Sequence, residues 1–141
     1  MTADEFKLDP RLVHDTAHVT DWPLCGVHLM NDGRYPWLVL VPRRAGMVEP
    51  FDLAKGEQAT LWREIAHAAR LLKETTQCRK VNIGALGNIV SQLHVHIVAR
   101  NEGDAAWPGP VWGKGNAERF AGDALSKAVA GYRTLLRPPT D

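Results

Sequence analysis

The sequence has few cysteines, no long apolar run and almost no net charge. Its cysteines, Cys25 and Cys78, lack the close spacing of zinc ligands or of a disulfide-rich scaffold, so we expect two reduced thiols. Seventeen Lys and Arg against sixteen Asp and Glu leave a net charge of +1, which excludes a strong overall field for a nucleic acid polymer or a membrane surface. No stretch approaches the ~18 apolar residues of a membrane span, and residues 1–10 hold no signal-like apolar run. We expect a cytoplasmic protein with one domain over residues 1–141.

Two apolar runs in the first third of the chain predict a β-hairpin. Residues 25–30 and 37–41 are largely apolar, and residues 31–33 between them are the turn formers Asn, Asp and Gly. Pro42 ends the second predicted strand because proline has no N–H group to donate to a β-ladder.

The rest of the chain predicts two helices and two further strands. Asp52 is a candidate N-cap for an amphipathic helix that ends near Gln77. Residues 80–85 and 93–99 have the composition of strands, and residues 117–136 return to a helical composition. This order predicts an α+β fold in which one long helix packs on an antiparallel sheet and a further helix lies at the C-terminus.

The segment richest in chemistry is Ser-Gln-Leu-His-Val-His-Ile-Val-Ala-Arg, at residues 91–100. Successive side chains of a strand point to opposite faces, so Gln92, His94 and His96 are predicted to share one polar face. The apolar residues between them can then pack beneath the helix. Two imidazoles and an amide in one row provide a nucleophile, a hydrogen-bond donor and a neutral anchor, and this set suits a phosphate group.

The same two histidines also have a common metal-ligand spacing. Spacing alone does not choose between a metal site and phosphate chemistry, because two imidazoles on one strand face can reach a single ion. The surroundings favour phosphate chemistry. No carboxylate shares the predicted strand face, and the next acid, Glu102, lies beyond the strand end. Gly87 and Asn88 precede the strand in a turn of a size that fits a phosphate.

The run of residues 92–98, Gln-Leu-His-Val-His-Ile-Val, resembles the signature of the histidine-triad superfamily, His-φ-His-φ-His-φ-φ, where φ is apolar. Everything matches except the first histidine, which is Gln92 here. The resemblance extends over most of the chain, from the first predicted hairpin through the long helix. It is most similar to the bacterial diadenosine-polyphosphate-hydrolase-like branch, in which this glutamine and a Trp-Pro-Gly-Pro-Val-Trp-Gly-type loop, here residues 107–113, are familiar.

The resemblance implies a role for each matching position. His94 would be the nucleophile, and His96 would bind the phosphate oxygens. Asn31, at the end of the first hairpin strand, would hold the ribose hydroxyls. The Gly87-Asn88 pair would contact the α-phosphate, and the amide of Asn82 would point at the phosphates.

Two departures from the family pattern bear on catalysis. Gln92 cannot carry charge, although its amide can still donate to and accept from a phosphate oxygen. Ile89 stands where many relatives have a hydroxyl residue that contacts the leaving group. The leaving group must then take its proton from Ser91 or from water, or must need none. Base recognition requires an apolar slot, and we expect Leu29 and Trp37 to line one side of it.

The two tryptophans of the 107–113 loop have two interpretations. Trp107 and Trp112 either pin the loop to the core or stack on a base and close the site across a dimer interface. The resemblance implies a two-fold homodimer that joins the sheets of two protomers.

The implied function is a nucleotide hydrolase or transferase that acts at the α-phosphate of dinucleoside polyphosphates or related conjugates through a covalent nucleotidyl-histidine. Its partner is a small-molecule nucleotide. The protein itself is expected to bind no cofactor, and any Mg²⁺ would arrive on a polyphosphate substrate. One alternative is a noncatalytic nucleotide-binding module. Another is a metal-dependent enzyme that uses His94 and His96 as ligands.

Overall fold

An antiparallel sheet forms the centre of the molecule. The computed structural model describes residues 5–140, and within them five strands follow the spatial order β1-β2-β3-β5-β4. The strands are β1 (Thr16–Asp21), β2 (Cys25–Met30), β3 (Trp37–Pro42), β4 (Lys80–Gly84) and β5 (Val95–Arg100), and the helices are α1 (Pro10–Asp15), α2 (Lys55–Thr76) and α3 (Ala124–Leu135), with a short 3-10 helix at Pro50–Asp52. The parts of the predicted domain at residues 1–4 and 141 lie outside the described residues.

Helix α2 covers one face of the sheet. The side chains that alternate toward it, among them Leu38, Leu40 and Ile97, are fully buried in the larger hydrophobic cluster. A buried carboxylate joins the helix to the hairpin. Glu64 of α2 accepts hydrogen bonds from the N–H groups of Leu24 and Cys25, at 3.0 and 2.8 Å. These two bonds fix the start of β2 against the helix.

The opposite face of the sheet is also covered, although no long helix lies there. Trp37, Val39 and Val98 form a second hydrophobic cluster with Leu12 of α1 and Val111 of the loop that follows β5. We call this side the histidine face, because Val39 pairs with His96 in the β3–β5 ladder. Coverage by a short helix and a loop leaves room for a cavity on this face.

The predicted α+β fold is confirmed, and its hairpin and long helix lie close to their expected positions. Strand β2 has the expected bounds, and β3 extends by one residue to Pro42. The predicted cap at Asp52 is wrong, because α2 begins at Lys55 and its N-cap is Ala54. The Asp52 carboxylate instead accepts from the N–H groups of residues 48 and 49, which closes the 3-10 turn before the helix.

Two other predicted boundaries shift because backbone groups have partners outside their own element. Strand β5 begins at Val95 rather than at Leu93, whose N–H donates to the carbonyl of Met47 at 2.9 Å. The C-terminal helix begins at Ala124. Residues 117–123 form a loop whose N–H groups bind the first hairpin, so they are not available for a helix.

Helix α1 and strand β1 were not predicted. Asp9 caps α1 by accepting from the N–H of Arg11 at 2.8 Å, and Pro10 occupies the first turn, where no N–H is needed. Strand β1 is an edge strand whose only buried side chain is Val19, so its apolar pattern is weak. Among residues 5–140, no helix has the length and apolar character needed to cross a membrane.

Candidate active site

A cavity of about 600 Å³ opens on the histidine face. His94 and His96 lie at its floor, where β5 begins. Its walls come from the end of the first hairpin at Asn31, the turn at residues 86–90 and the loop at residues 111–115. We call it the histidine cavity. Residues of α1 and of strands β2, β3 and β5 complete the lining, so the sheet and the connections beside it build the cavity together.

His94 has one ring nitrogen fixed by the backbone. Its Nδ1 lies 2.7 Å from the carbonyl oxygen of Gln92. A carbonyl oxygen only accepts hydrogen bonds, so Nδ1 carries the proton and, in the neutral ring, Nε2 keeps its lone pair. The side chain is 7% exposed, and it lines the cavity. A neutral imidazole with this tautomer can act as a nucleophile through Nε2.

His96 has the opposite tautomer. The indole Nε1 of Trp37 donates to His96 Nδ1 at 3.0 Å, and because indole can only donate, that ring nitrogen must accept. The neutral His96 ring therefore carries its proton on Nε2. Burial, and to a lesser extent the charge on His94, lowers the pKa of His96 to about 3. At neutral pH His96 is an uncharged hydrogen-bond donor.

The two rings and Trp112 form one packed unit. The centroids of His94 and His96 are 4.9 Å apart at an interplanar angle of 74°, and Trp112 meets His96 edge-on at 5.6 Å. Trp112 also lies on Gly84, where an added Cβ would be only 2.9 Å from its Cη2 atom. Trp107 is not part of the cavity lining and lies near the guanidinium of Arg100. The two tryptophans thus differ in position.

Asn31 lies at the cavity, but its side-chain oxygen has a protein partner. Its Oδ1 accepts from the N–H of Phe120 at 2.9 Å. The neighbouring Asp32 forms a buried ion pair with Arg34 at 2.8 Å and accepts from the N–H of Glu118. These bonds hold residues 117–120 against the hairpin turn and bring Arg119 to the cavity wall.

The turn before β5 supplies Gly87 and Asn88, and both line the cavity. Gly87 has φ +70°, a left-handed conformation that favours glycine, so a side chain at this position would be strained. Ile89 is 83% exposed and presents an apolar side chain to the same wall. A smaller groove of about 180 Å³ reaches His94 from its other side, and its lining includes Glu49 and Ser91.

The structure places Gln92 differently from the prediction. Its amide does not line the histidine cavity. Oε1 accepts from the N–H of Asp9 and Nε2 donates to the carbonyl of Lys7, both at 2.8 Å. The predicted face assumed a strand from residue 92, but pairing begins only at Val95, so strand alternation does not govern the Gln92 side chain.

Leu29 and Asn82 are also not part of the cavity lining. Leu29 is 2% exposed and belongs to the cluster beneath α2, so the prediction that it lines a base slot is wrong. The next residue, Met30, lines the cavity together with Trp37. Asn82 faces the histidine side, but its Oδ1 accepts from the guanidinium of Arg100 at 2.8 Å.

Sequence reasoning missed the positive charge at the cavity. Arg34, Lys114 and Arg119 line it together with the acids Asp15 and Asp32, and Arg34 is neutralised by its ion pair with Asp32, so the lining keeps a small excess of positive charge. Of the cavity residues that sequence reasoning missed, Met30 had a signal in the sequence, because strand alternation places it on the face opposite to Leu29. The cations come from irregular segments and have no periodic signal. Among residues 5–140, no group of three or more His, Cys, Asp or Glu side chains is arranged to hold a metal ion.

Comparisons with known proteins agree with this architecture. Residues 11–103 match the HIT domain family. A histidine triad (HIT) protein of Sinorhizobium meliloti 1021 is 47% identical, with a TM-score of 0.91 over 96% of this chain and 100% of its own. A histidine triad protein of Bradyrhizobium japonicum is also 47% identical, with a TM-score of 0.87 over 92% and 97% of the two chains. One from Marinobacter aquaeolei VT8 is 40% identical, with a TM-score of 0.89 over 93% and 96%. No curated protein matches the chain.

Proposed function

Because the chain belongs to the HIT domain family, we propose that it is a nucleotide hydrolase or transferase in which His94 attacks an α-phosphate. The observation that carries the proposal is the pair of opposite tautomers. Gln92 leaves His94 with a free Nε2 lone pair, while Trp37 leaves His96 with an N–H donor. A nucleophile and a neutral donor whose ring centroids are 4.9 Å apart suit attack on a phosphoryl group.

In the first step, Nε2 of His94 forms a bond to the α-phosphorus as the bond to the leaving group breaks. The product is a nucleotidyl-histidine, and the leaving group departs with the bonding electron pair. His96, Asn88 and the backbone N–H groups of the Gly87 turn would stabilise the charge on the phosphoryl oxygens. One well-placed donor of this kind is worth about 3–4 kcal/mol. In the second step, water attacks the same phosphorus, the bond from phosphorus to Nε2 breaks with its electron pair returning to the His94 ring, and the proton that the water loses passes to solvent.

The residues expected near the leaving group favour a polyphosphate as that group. Ile89 has no hydroxyl group with which to protonate a departing atom, and a nucleotide polyphosphate is stable as an anion. The cations Lys114 and Arg119 at the cavity would attract such a chain. We therefore propose dinucleoside polyphosphates, such as diadenosine polyphosphates, as the substrate class. The reaction would need no cofactor bound by the protein, with Mg²⁺ carried on the substrate.

We also propose that the chain forms a homodimer. Within the described residues, β4 lies at one edge of the sheet, and its Ile83 is 44% exposed. Trp62 of α2 is 65% exposed. An unpaired strand edge that carries an exposed apolar side chain, and a second exposed apolar side chain on the covering helix, favour contact with another chain. The cytoplasmic location expected from the sequence stays a prediction.

The test is to trap the covalent intermediate. The protein is mixed with diadenosine tetraphosphate, denatured at alkaline pH, where a bond from phosphorus to imidazole survives, and analysed by intact mass. We expect an adduct of one nucleoside monophosphate, absent in His94→Ala and retained in the matched control His67→Ala, whose ring lies on α2 against the carbonyl of Arg137. Binding without adduct or turnover would support the noncatalytic module instead. An adduct that survives His94→Ala would exclude His94 as the nucleophile.

A further inference from the structure

The side chain of Gln92 attaches the start of the chain to the nucleophile's own hydrogen-bond partner. We call residues 7–11 the N-terminal segment. This segment binds both polar atoms of the Gln92 amide, because the carbonyl of Lys7 accepts from Nε2 and the N–H of Asp9 donates to Oε1. The backbone carbonyl of the same Gln92 accepts from His94 Nδ1. Gln92 thus binds the N-terminal segment through its side chain and sets the tautomer of His94 through its backbone carbonyl.

The N-terminal segment is held in place by further contacts. The Nη1 group of Arg11 donates to the carbonyl of Ile89 at 2.9 Å, so the segment binds the cavity turn at a second point. Leu12, next in the chain, is 4% exposed in the hydrophobic cluster of the histidine face. Hydrogen bonds from Arg11, with a smaller contribution from the charge on His94, lower the pKa of Asp9 to about 2.

The Gln92 carbonyl has little support from the sheet. Ladder pairing of β5 begins at Val95, so the peptide after Gln92 lies outside the regular strand. The N–H of Leu93 belongs to the same planar peptide group and donates to the carbonyl of Met47, so one backbone bond holds this peptide from its far side. A peptide group held at one point can still tilt about that bond unless the Cα atom at its other end, here that of Gln92, is also fixed. The two bonds of the Gln92 amide supply this restraint.

We propose that the N-terminal segment is a positioning element for the nucleophile and acts through Gln92. The inference rests on the proposed function for its kinetic consequence, but not for its structural one. Without the restraint, the Gln92 carbonyl moves, His94 loses its fixed Nδ1–H tautomer, and a fraction of the rings present a protonated Nε2 that cannot attack. Gln92 is thus a positioning residue rather than a phosphate ligand.

A matched pair of substitutions at Asp9 isolates one of these bonds. Asp9 has φ −54° and ψ 133°, a conformation that proline adopts without strain. Asp9→Ala removes the carboxylate but keeps the N–H that binds Gln92, whereas Asp9→Pro removes both. The difference between the two variants therefore reports the N–H···Oε1 bond, and neither variant alters Gln92.

We expect Asp9→Pro to have a kcat about three- to tenfold lower than that of Asp9→Ala, the effect of one lost hydrogen bond, with KM changed by less than about twofold. Nitrogen-15 NMR of the histidine rings is the second readout. Asp9→Ala should keep the Nδ1–H tautomer of His94, and Asp9→Pro should show exchange between tautomers. A loss of stability alone would not change the tautomer of the folded protein.

Gln92→Met gives an independent arm, and Gln58→Met is its control. Gln58 also uses its amide on a backbone carbonyl, that of Leu53, but it lies on α2 away from His94. We expect a mixed His94 tautomer and at least about tenfold lower kcat in Gln92→Met, with the control unchanged. Wild-type tautomer and kcat in both Asp9→Pro and Gln92→Met would overturn the inference. If wild type itself shows no turnover, the proposed function fails, and the NMR comparison still decides the positioning role.

Discussion

Neutral imidazole rings differ chemically in which nitrogen carries the proton, and one neighbour sets this for each histidine of the site. A carbonyl oxygen beside His94 and an indole N–H beside His96 impose opposite choices on the two rings. Burial keeps His96 from taking up a second proton, because its pKa falls to about 3. The proposed division of labour between nucleophile and donor would thus come from Gln92 and Trp37 rather than from the histidines themselves.

The contrast between Leu29 and Met30 can be tested by substitution. Leu29→Ala should lower the free energy of unfolding by about 2–5 kcal/mol, because it leaves a void beneath α2, and should leave KM unchanged. Met30→Ala should raise KM several-fold with a smaller loss of stability, because Met30 lines the cavity. Urea unfolding and steady-state kinetics on the same preparations check both. Equal effects of the two variants on KM would contradict the assignment of their faces.

The sequence allowed His94 and His96 to be placed but not their neighbours. Alternation correctly puts both rings on one side of the sheet, since Val95 and Ile97, which follow the two rings, belong to the cluster beneath α2. The same rule failed for Gln92, which precedes the paired strand. Strand alternation was not used to select Leu29. Neighbouring residues of a strand point to opposite faces, so the choice of Leu29 instead of Met30 selected the buried face rather than the cavity.

Elements with a strong period were predicted well, and those defined by distant partners were not. Helix α2 and strands β2 and β3 have clear apolar patterns and appear close to the expected residues. Residues 117–123 have a helical composition, but their backbone binds Asn31 and Asp32 from the first hairpin. No local pattern reveals such partners, because the contacts exist only after the hairpin has formed.

The contact between β4 and the loop after β5 depends on the absence of a side chain. Gly84→Ala should lower the free energy of unfolding by about 1–3 kcal/mol through overpacking and should raise KM, because it displaces Trp112 from the cavity wall. Gly131→Ala is the matched control. Gly131 lies in α3 with nothing within 4 Å of an added Cβ, so alanine should raise stability by about 0.5–1 kcal/mol. Unfolding and kinetic measurements that fail to separate the two variants would argue against this close contact.

Placing a polar site on a covered sheet face means that ionisable groups are buried along with it. His28 and His96 are 6% exposed on the histidine face, and Nδ1 of His28 has no hydrogen-bond partner in the structure. Burial, together with the charge on His18, lowers the pKa of His28 to about 4, although Asp21 acts in the opposite direction. The native protein therefore resists protonation at two positions that titrate normally once the chain unfolds.

This resistance predicts a loss of stability in mild acid. Below the ordinary histidine pKa of 6.5, the unfolded chain binds protons that native His28 and His96 do not, so the free energy of unfolding falls by up to about 1.4 kcal/mol per pH unit for each group. The loss continues to about pH 4 for His28 and about pH 3 for His96. The stabilisation from Asp9 and Asp104, whose pKa values are lowered from 3.8 to about 2, is lost as the pH falls through that range, which overlaps only the end of the His96 range. The free energy of unfolding, measured in urea between pH 7 and pH 4.5, should thus fall less steeply with decreasing pH in His28→Phe than in wild type, by up to about 1.4 kcal/mol per pH unit. Parallel stability curves for the variant and wild type would show that His28 is protonated as readily in the fold as in the unfolded chain.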